Sequence, residues 1–542
     1  MSSPQASPAG TPTPKKGGFF DWVERIGNGL PDPMTLFLMG TVVIYVMSAI
    51  ASSAGWVVTL RDSTGDILTN PDGTPQMQEM ATSLLSAEGF RWQALNLIQN
   101  FVEFAPLGLV LAAAIGISIA ERSGFFAAAL KSILLFVPSF LLTPATFFAG
   151  VMSSAAVDAG YIVLPPLAAM IYKAVGRSPL VGIAAVFAGV ASGFNANLFV
   201  TGLDPLLSGL TQEAAQVIDE TREVNAACNW YFMIASTFLL TFVGWAVSAW
   251  FVEPRLAKKS PEEGGPGGDV DPSHLDLAPE EKKGLFWAVV SIFVSAAVLL
   301  ACKIFPWGFL YDPEGVLTVD GGTQNFPTWV SSIVPLLILL FLIPGLVYGI
   351  VVRSIRNDRD VVKMMSDYMA MLGNYVVLAF FASIFVEAFS HSNLGRMLSI
   401  AGGNFLSQLD MPSWGLMLAF ILVTATANLF VGSMSAKWAM LATVFVPMFM
   451  TLGVSPELTQ VTYRIGDSVT NSITPLNPYL VVVLVFMQQY VKKAGLGTLV
   501  SVMLPYSIVF AIVWAIMLVI WIQLGLPLGV DGPLDYVMPS AG

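Results

Sequence analysis

The sequence predicts an all-α polytopic membrane protein with nine transmembrane helices and two opposed re-entrant helical hairpins, related as an inverted repeat. Three observations carry that prediction. Of 542 residues, 55% are hydrophobic and 11% charged, with a mean hydropathy of +0.72, against about 25% charged in ordinary soluble domains. Apolar runs recur at the length of about 20 residues that crosses the hydrocarbon layer. Lys and Arg segregate to alternate loops, as the orientation rule for membrane helices requires.

The elements follow in order. Residues 1–30 form a tail rich in Ser, Pro and Lys without the layout of a cleaved signal, so the first apolar span is retained. Spans fall near 33–54, 95–119, 180–203, 230–252, 284–304, 328–351, 373–390 and 498–523, and an irregular ninth lies within 457–490. Stretches 123–175 and 412–452 do not read as single spans. With the N-terminus inside, eighteen of the 25 basic residues fall inside, among them Lys15, Arg122, Lys173, Arg177, Arg353 and Lys492. Arg61, Arg91, Arg222, Lys303 and Arg396 fall outside, and Lys437 and Arg464 stay in the membrane. The alternation closes only if 123–175 enters and leaves from the inside and 412–452 from the outside. The C-terminus then ends outside. The chain divides into a tail (1–30), scaffold helices (31–122), a first hairpin and broken helix (123–203), central helices with loops (204–411), a second hairpin and broken helix (412–490) and a C-terminal helix with its tail (491–542).

The two long stretches resemble each other. Ser154-Ala155 and Pro166 recur 281 residues on as Ser435-Ala436 and Pro447. Gly176, Ser178-Pro179 and Gly189 recur 277 residues on as Gly453, Ser455-Pro456 and Gly466. Each hairpin leads into a polar, interrupted span, Gly193-Phe-Asn195-Ala-Asn197 in the first half and Asp467 to Pro478 in the second. Inverted repeats with a broken helix in each half are the sequence mark of a secondary transporter. The pentapeptide Ala-Asn-Leu-Phe-Val also occurs twice, at 196–200 and 427–431, out of register with the repeat, and reads as coincidence.

Hydrocarbon tolerates charges and broken backbone only where they face protein or a cavity. The tips Gly150–Gly160, with Ser154 and Asp158, and Gly432–Trp438, with Ser433, Ser435 and Lys437, offer hydroxyls and helix N-termini to an anionic substrate. Close helix packing by small residues is the plainer alternative. Asn428, Asp467 and Asn471 supply the oxygens a sodium ion takes, and Asn195 and Asn197 offer a counterpart in the first half; interhelical hydrogen bonding is the alternative for the asparagines. Arg464 lies three residues before Asp467, so they share a helix face, either as an internal ion pair or as an anion site beside a cation site. Lys437 shares that ambiguity and, near a tip, can instead snorkel to the surface. Trp438 reads equally as an aromatic stack for substrate or an interfacial anchor. Asp204 follows the first broken span and caps or gates its outer end.

The segments Thr143–Tyr161, Gly432–Ala439 and Tyr463–Pro478 resemble the p-aminobenzoyl-glutamate transporter (AbgT) family, over about residues 20–525. The resemblance implies nine spans, two re-entrant hairpins and a bowl-shaped homodimer in a bacterial inner membrane, with a cytoplasmic N-terminus and a periplasmic C-terminus. It implies a sodium site at Asn428 and Asp467 and transport roles for Trp438, Arg464, Pro456 and Asp204. Members are importers of p-aminobenzoyl-glutamate or exporters of sulfonamides and p-aminobenzoic acid.

The expected function is ion-coupled secondary transport of such small aromatic anions, with lipid around the chain, no cofactor beyond a coupling ion (sodium or proton) and no nucleic-acid partner. A sodium–dicarboxylate or citrate symporter is the alternative, though the Ser-Asn-Thr tips typical of that class are absent. An enzyme is not expected: neither His274 nor His391 lies near a nucleophile in sequence, Ser433 or Ser435 with Lys437 makes a weak dyad, and Cys228 and Cys302 support no metal cluster. No phosphate-binding Gly-rich loop of the ATPase type is present.

Overall fold

The computed structural model describes residues 31–62, 66–69, 73, 75, 77–135, 137–155, 159–266, 277–312 and 327–538. In chain order the helices are α1 (Pro33–Ser53), α2 (Ala87–Val102), α3 (Ala105–Arg122), α4 (Phe125–Leu135), α5 (Leu142–Met152), α6 (Leu164–Ala174), α7 (Pro179–Phe187), α8 (Leu203–Ala215), α9 (Trp230–Val247) and α10 (Pro279–Ile304). They continue as α11 (Ile333–Val351), α12 (Asp358–Met371), α13 (Gly373–His391), α14 (Leu394–Ser407), α15 (Ser413–Asn428), α16 (Met434–Met450), α17 (Pro456–Val469), α18 (Tyr479–Gln488) and α19 (Leu496–Gln523). Between α1 and α2, β-branched Val57, Val58 and Thr59 form β1 (Val57–Thr59), paired antiparallel with β2 (Gln78–Met80) in the register Val57↔Met80. The loop thus departs slightly from the all-helical expectation.

Seven helical segments among the described residues are long and apolar enough to cross a membrane, and they coincide with seven of the predicted spans. The other two predicted spans, 180–203 and 457–490, are interrupted. In the first, α7 passes through a wider helical turn at Ala188–Ser192 and ends at Gly193. In the second, α17 stops at Val469 and α18 resumes at Tyr479. The predicted span 95–119 crosses a break that sequence reading missed. Pro106 sits at the start of α3, where the missing N–H costs nothing, and so fixes a new helix start after Phe104.

Ion pairs join the loops in two groups. In one, Arg396 pairs with Glu79 and Glu220, Arg222 pairs with Glu457, and the C-terminal tail lies against the start of α17 through Ser455 N–H to Leu534 O (3.1 Å). In the other, Arg177 holds Glu253 and Lys131 holds Glu281. Gly403 of α14 lies against Thr451 at the end of α16. Between α4 and α5 the helix axis turns by 118°.

The main apolar core runs through α5 to α9 and α15 to α19. Smaller apolar seams join α3, α10 and α11. Two glycine contacts set helix spacing. A Cβ on Gly150 of α5 would stand 3.1 Å from the Cα of Gly189, so bare backbones cross there. A Cβ on Gly345 of α11 would stand 2.7 Å from backbone atoms of Ala120 in α3.

Candidate functional site

Helix α17 carries the charged core. It starts sharply because Ser455 caps it, accepting from Leu458 N–H at 3.0 Å, and Pro456 occupies its first turn. Every residue of α17 is buried, so its polar side chains have only protein to satisfy them. Spacing of four puts Tyr463 with Asp467, and Arg464 with Ser468, on neighbouring faces.

Arg464 reaches back to the first half of the chain. Its Nη1 lies 2.7 Å from Asp204 Oδ1, and its Nη2 donates to the backbone oxygen of Asn195 at 3.0 Å. Asp204 stands in the first turn of α8, where its Oδ2 accepts from Thr201 N–H (2.7 Å) and Thr201 Oγ (3.0 Å). A carboxylate there is also favoured by the helix dipole. Asn195 extends the seam: its Nδ2 donates to Ser468 Oγ (2.8 Å), Arg464 O (3.2 Å) and Asp467 Oδ2 (3.2 Å). Ser192 Oγ donates to Ser472 Oγ at 2.7 Å. The two broken spans therefore meet face to face.

Asp467 has a different cation. Its Oδ1 lies 2.7 Å from Lys437 Nζ and 3.2 Å from Tyr463 OH. Lys437 Nζ also donates to Asn428 Oδ1 and to Val431 O (3.2 Å). Asn428 Nδ2 donates to Asp467 O (2.6 Å), Thr470 Oγ1 (2.8 Å) and Asn471 Oδ1 (2.8 Å). Arg464 is 0% exposed and Lys437 and Asp467 1% each, so neither pair is open to solvent.

These contacts revise several readings of the sequence. Arg464 and Asp467 do not neutralise each other, because α8 and α16 bring each an opposite charge at 2.7 Å. Lys437 does not snorkel; it is buried and turns inward onto Asp467. Trp438 is no interfacial anchor. It is fully buried, stacked on Tyr463 at 4.4 Å between centroids, and its Nε1 donates to Thr211 Oγ1 at 3.0 Å. Pro456 lies at the start of α17, eight residues or about 12 Å of helix before Arg464.

The hairpin tips do reach cavities. Ser433 caps α16 by accepting from Ala436 N–H (3.3 Å). With Ser435, Asn374 and Tyr375 it lines a cavity of about 380 Å³. Ser154 lines another of about 260 Å³ with Gly202, Tyr368 and Tyr375. Tyr375 and Met371 border both. Ser154 Oγ also donates to Asn197 Oδ1 at 2.6 Å. Asn197 turns its amide oxygen to Ser154, and Asn428, within the second hairpin stretch, turns its own to Lys437. Asp158 lies outside the described residues. Tyr463, Ser468, Thr211, Ser192 and Ser472 are site residues that sequence reading missed; the four-residue spacing of Tyr463 and Ser468 from Asp467 and Arg464 was the available signal.

Three buried polar atoms of the cluster, Asn195 Oδ1, Asn197 Nδ2 and Arg464 Nε, have no hydrogen-bond partner among the described residues. Such atoms cost about 1–3 kcal/mol each when left unsatisfied, so they are free to take a polar partner. Asn428, Asp467 and Val431 offer oxygens of the kinds a sodium ion takes, and in this arrangement those oxygens converge on the Lys437 ammonium, while Asn471 Oδ1 accepts from Asn428 Nδ2.

A polytopic helical fold with a buried, charged seam between two broken helices defines a membrane transporter. The sequence profile of the AbgT family matches residues 18–536, and the chain belongs to that family. The p-aminobenzoyl-glutamate transport protein of Escherichia coli K12 is 36% identical over 498 residues, covering 92% of this chain and 93% of its own. The YdaH transporter of Alcanivorax borkumensis superposes with a TM-score of 0.83 at 38% identity, over 92% of this chain and 100% of that one. MtrF of Neisseria gonorrhoeae, described within a class of antimetabolite efflux pumps, superposes with a TM-score of 0.85 at 38% identity, over 96% of this chain and 100% of that one.

Proposed function

We propose that this chain is an ion-coupled secondary transporter of small aromatic anions: p-aminobenzoyl-glutamate, or p-aminobenzoic acid and sulfonamides. One observation carries the reading. Arg464 and Asn195, one from each broken span, are fully buried against each other and each keeps an unpartnered polar atom, Nε and Oδ1. A planar guanidinium matches a carboxylate or sulfonyl oxygen. The Ser154 and Ser433–Ser435 cavities share Tyr375 and Met371 in their linings, and a substrate would enter from them when the seam opens. The relatives support the substrate class, since one transports p-aminobenzoyl-glutamate and another belongs with antimetabolite efflux pumps.

The architecture in the membrane is nine spans, two of them broken, with re-entrant hairpins at 123–175 and 412–452. The N-terminus is cytoplasmic and the C-terminus periplasmic, in an inner-membrane homodimer. Transport alternates access by moving the hairpin-bearing helices against α1–α3 and α10–α13. The coupling ion is sodium or a proton, and the charge of Asp467 is required for coupling. The test is uptake and efflux of radiolabelled p-aminobenzoyl-glutamate and of a sulfonamide in proteoliposomes, with sodium and proton gradients imposed separately and citrate as the competing substrate. Accumulation of an aromatic anion under one gradient supports the reading. Citrate transport without aromatic transport overturns it, and gradient-driven transport intact in Asp467→Asn overturns the coupling role.

A further inference from the structure

We propose that Lys437 is a tethered cation: its ammonium occupies the oxygen cage built by Asp467, Asn428 and Val431, so that the lysine and a free monovalent cation exclude each other there. The proposal rests on the reading of Asp467 and Asn428 as the coupling-ion site, and it makes Lys437 the residue that decides how the site responds to sodium.

Three oxygens of three kinds converge on Lys437 Nζ. They are the Asp467 carboxylate (2.7 Å), the Asn428 amide oxygen and the Val431 carbonyl (3.2 Å). An ammonium has three N–H donors and no acceptor, so these three partners use all of its capacity. The same carboxylate, amide and backbone oxygens are what a hard monovalent cation takes. Val431 lies in the turn between α15 and α16, where the chain has left one helix and not yet entered the next, and so offers its carbonyl sideways.

The placement of the lysine is electrostatically adverse without Asp467. Lys437 stands in the first turn of α16, after the Ser433 cap, where the helix dipole disfavours positive charge. It is also buried from solvent. Arg464, the nearby second cation, is already held by Asp204. Only the Asp467 cage accounts for an ammonium at this position. Two cations in one dry cage repel strongly, so a sodium ion enters only when the side chain leaves. With lysine in place, the second hairpin is held against α17 without any ion from solution. Tyr463 reinforces the closure by donating to Met434 O in the same hairpin at 2.7 Å.

The test is apparent Tm of the full-length protein in detergent, in sodium chloride and in choline chloride at equal concentration. Wild type and Lys437→Arg, which both keep a tethered cation, should melt at the same temperature in the two salts. Lys437→Met leaves Asp467 unpaired, so sodium should raise its Tm by several degrees, saturably. Lys437→Met/Asp467→Asn removes the charge as well and should lose that response. A saturable, sodium-specific rise in wild type with the same half-saturation as in Lys437→Met overturns the proposal, as does a folded Lys437→Met that ignores sodium. Should Lys437→Met not be recovered in either salt, wild type and Lys437→Arg decide alone, and sodium-specific stabilisation of either overturns it. A sodium response that survives in the double variant instead removes the Asp467 site from the proposed function, and leaves substrate transport to be judged separately.

Discussion

Asp204→Asn is the sharpest test of the seam between the two halves. The substitution keeps the shape and removes one charge. Every described neighbour on the carboxylate side presents a donor: Arg464 Nη1 at 2.7 Å, Thr201 N–H at 2.7 Å and Thr201 Oγ at 3.0 Å. An amide has one acceptor oxygen, so whichever way it turns, its NH₂ faces a donor. The fully buried guanidinium then keeps its charge with only Asn195 O and a weak dipole against it. Breaking a buried pair in this way costs about 3–5 kcal/mol. Taking an unfolding entropy of about 2.1 cal/mol/K per residue over the chain, 4 kcal/mol lowers Tm by about 4 °C. Arg464→Gln should cost a similar amount, because it strands the carboxylate. Asp204→Asn/Arg464→Gln should recover most of the loss, since no uncompensated charge remains. The assay is apparent Tm in detergent at a fixed heating rate, because membrane proteins of this size unfold irreversibly and Tm depends on scan rate. If both single variants melt within about 1 °C of wild type, or the double variant loses the sum of the two, the pair is not the coupled unit argued here.

Three further outcomes follow from the same contacts. Trp438→Phe keeps the ring against Tyr463 but removes the Nε1 donor to Thr211 Oγ1 and Leu207 O, both of which keep each other, and Thr211 keeps Gln460 Oε1; it should lower stability by about 0.5–1.5 kcal/mol, read as a drop in Tm. Ser154→Ala removes the donor to Asn197 Oδ1, whose Nδ2 is already unpartnered, so it should cost about 1–3 kcal/mol and leave a measurably faster-melting protein. Gly345→Ala drives a Cβ to 2.7 Å from the Ala120 backbone, which cannot rotate away as a side chain would; it should cost about 1–3 kcal/mol in the same assay, while Gly373→Ala, which meets nothing within 4 Å, should cost far less.

The sequence by itself determined seven long apolar spans and the two interrupted ones. Apolar length and the placement of Lys and Arg are local quantities, and the bilayer enforces both on each segment separately. It also picked out the residues that hydrocarbon would not tolerate alone, Lys437, Arg464 and Asp467. It did not determine who pairs with whom. Spacing along α17 put Arg464 beside Asp467, but Asp204 lies 260 residues from Arg464 and Lys437 lies 30 from Asp467. Those partners are set by where α8 and α16 pack. Nor could periodicity separate buried faces from lipid-facing ones, since both are apolar here; Trp438 therefore read as an anchor or a substrate stack until packing buried it on Tyr463. Tertiary structure alone decided that the charged seam is closed, and that the cation beside Asp467 is the chain's own lysine, because a buried charge takes the nearest opposite charge the fold supplies.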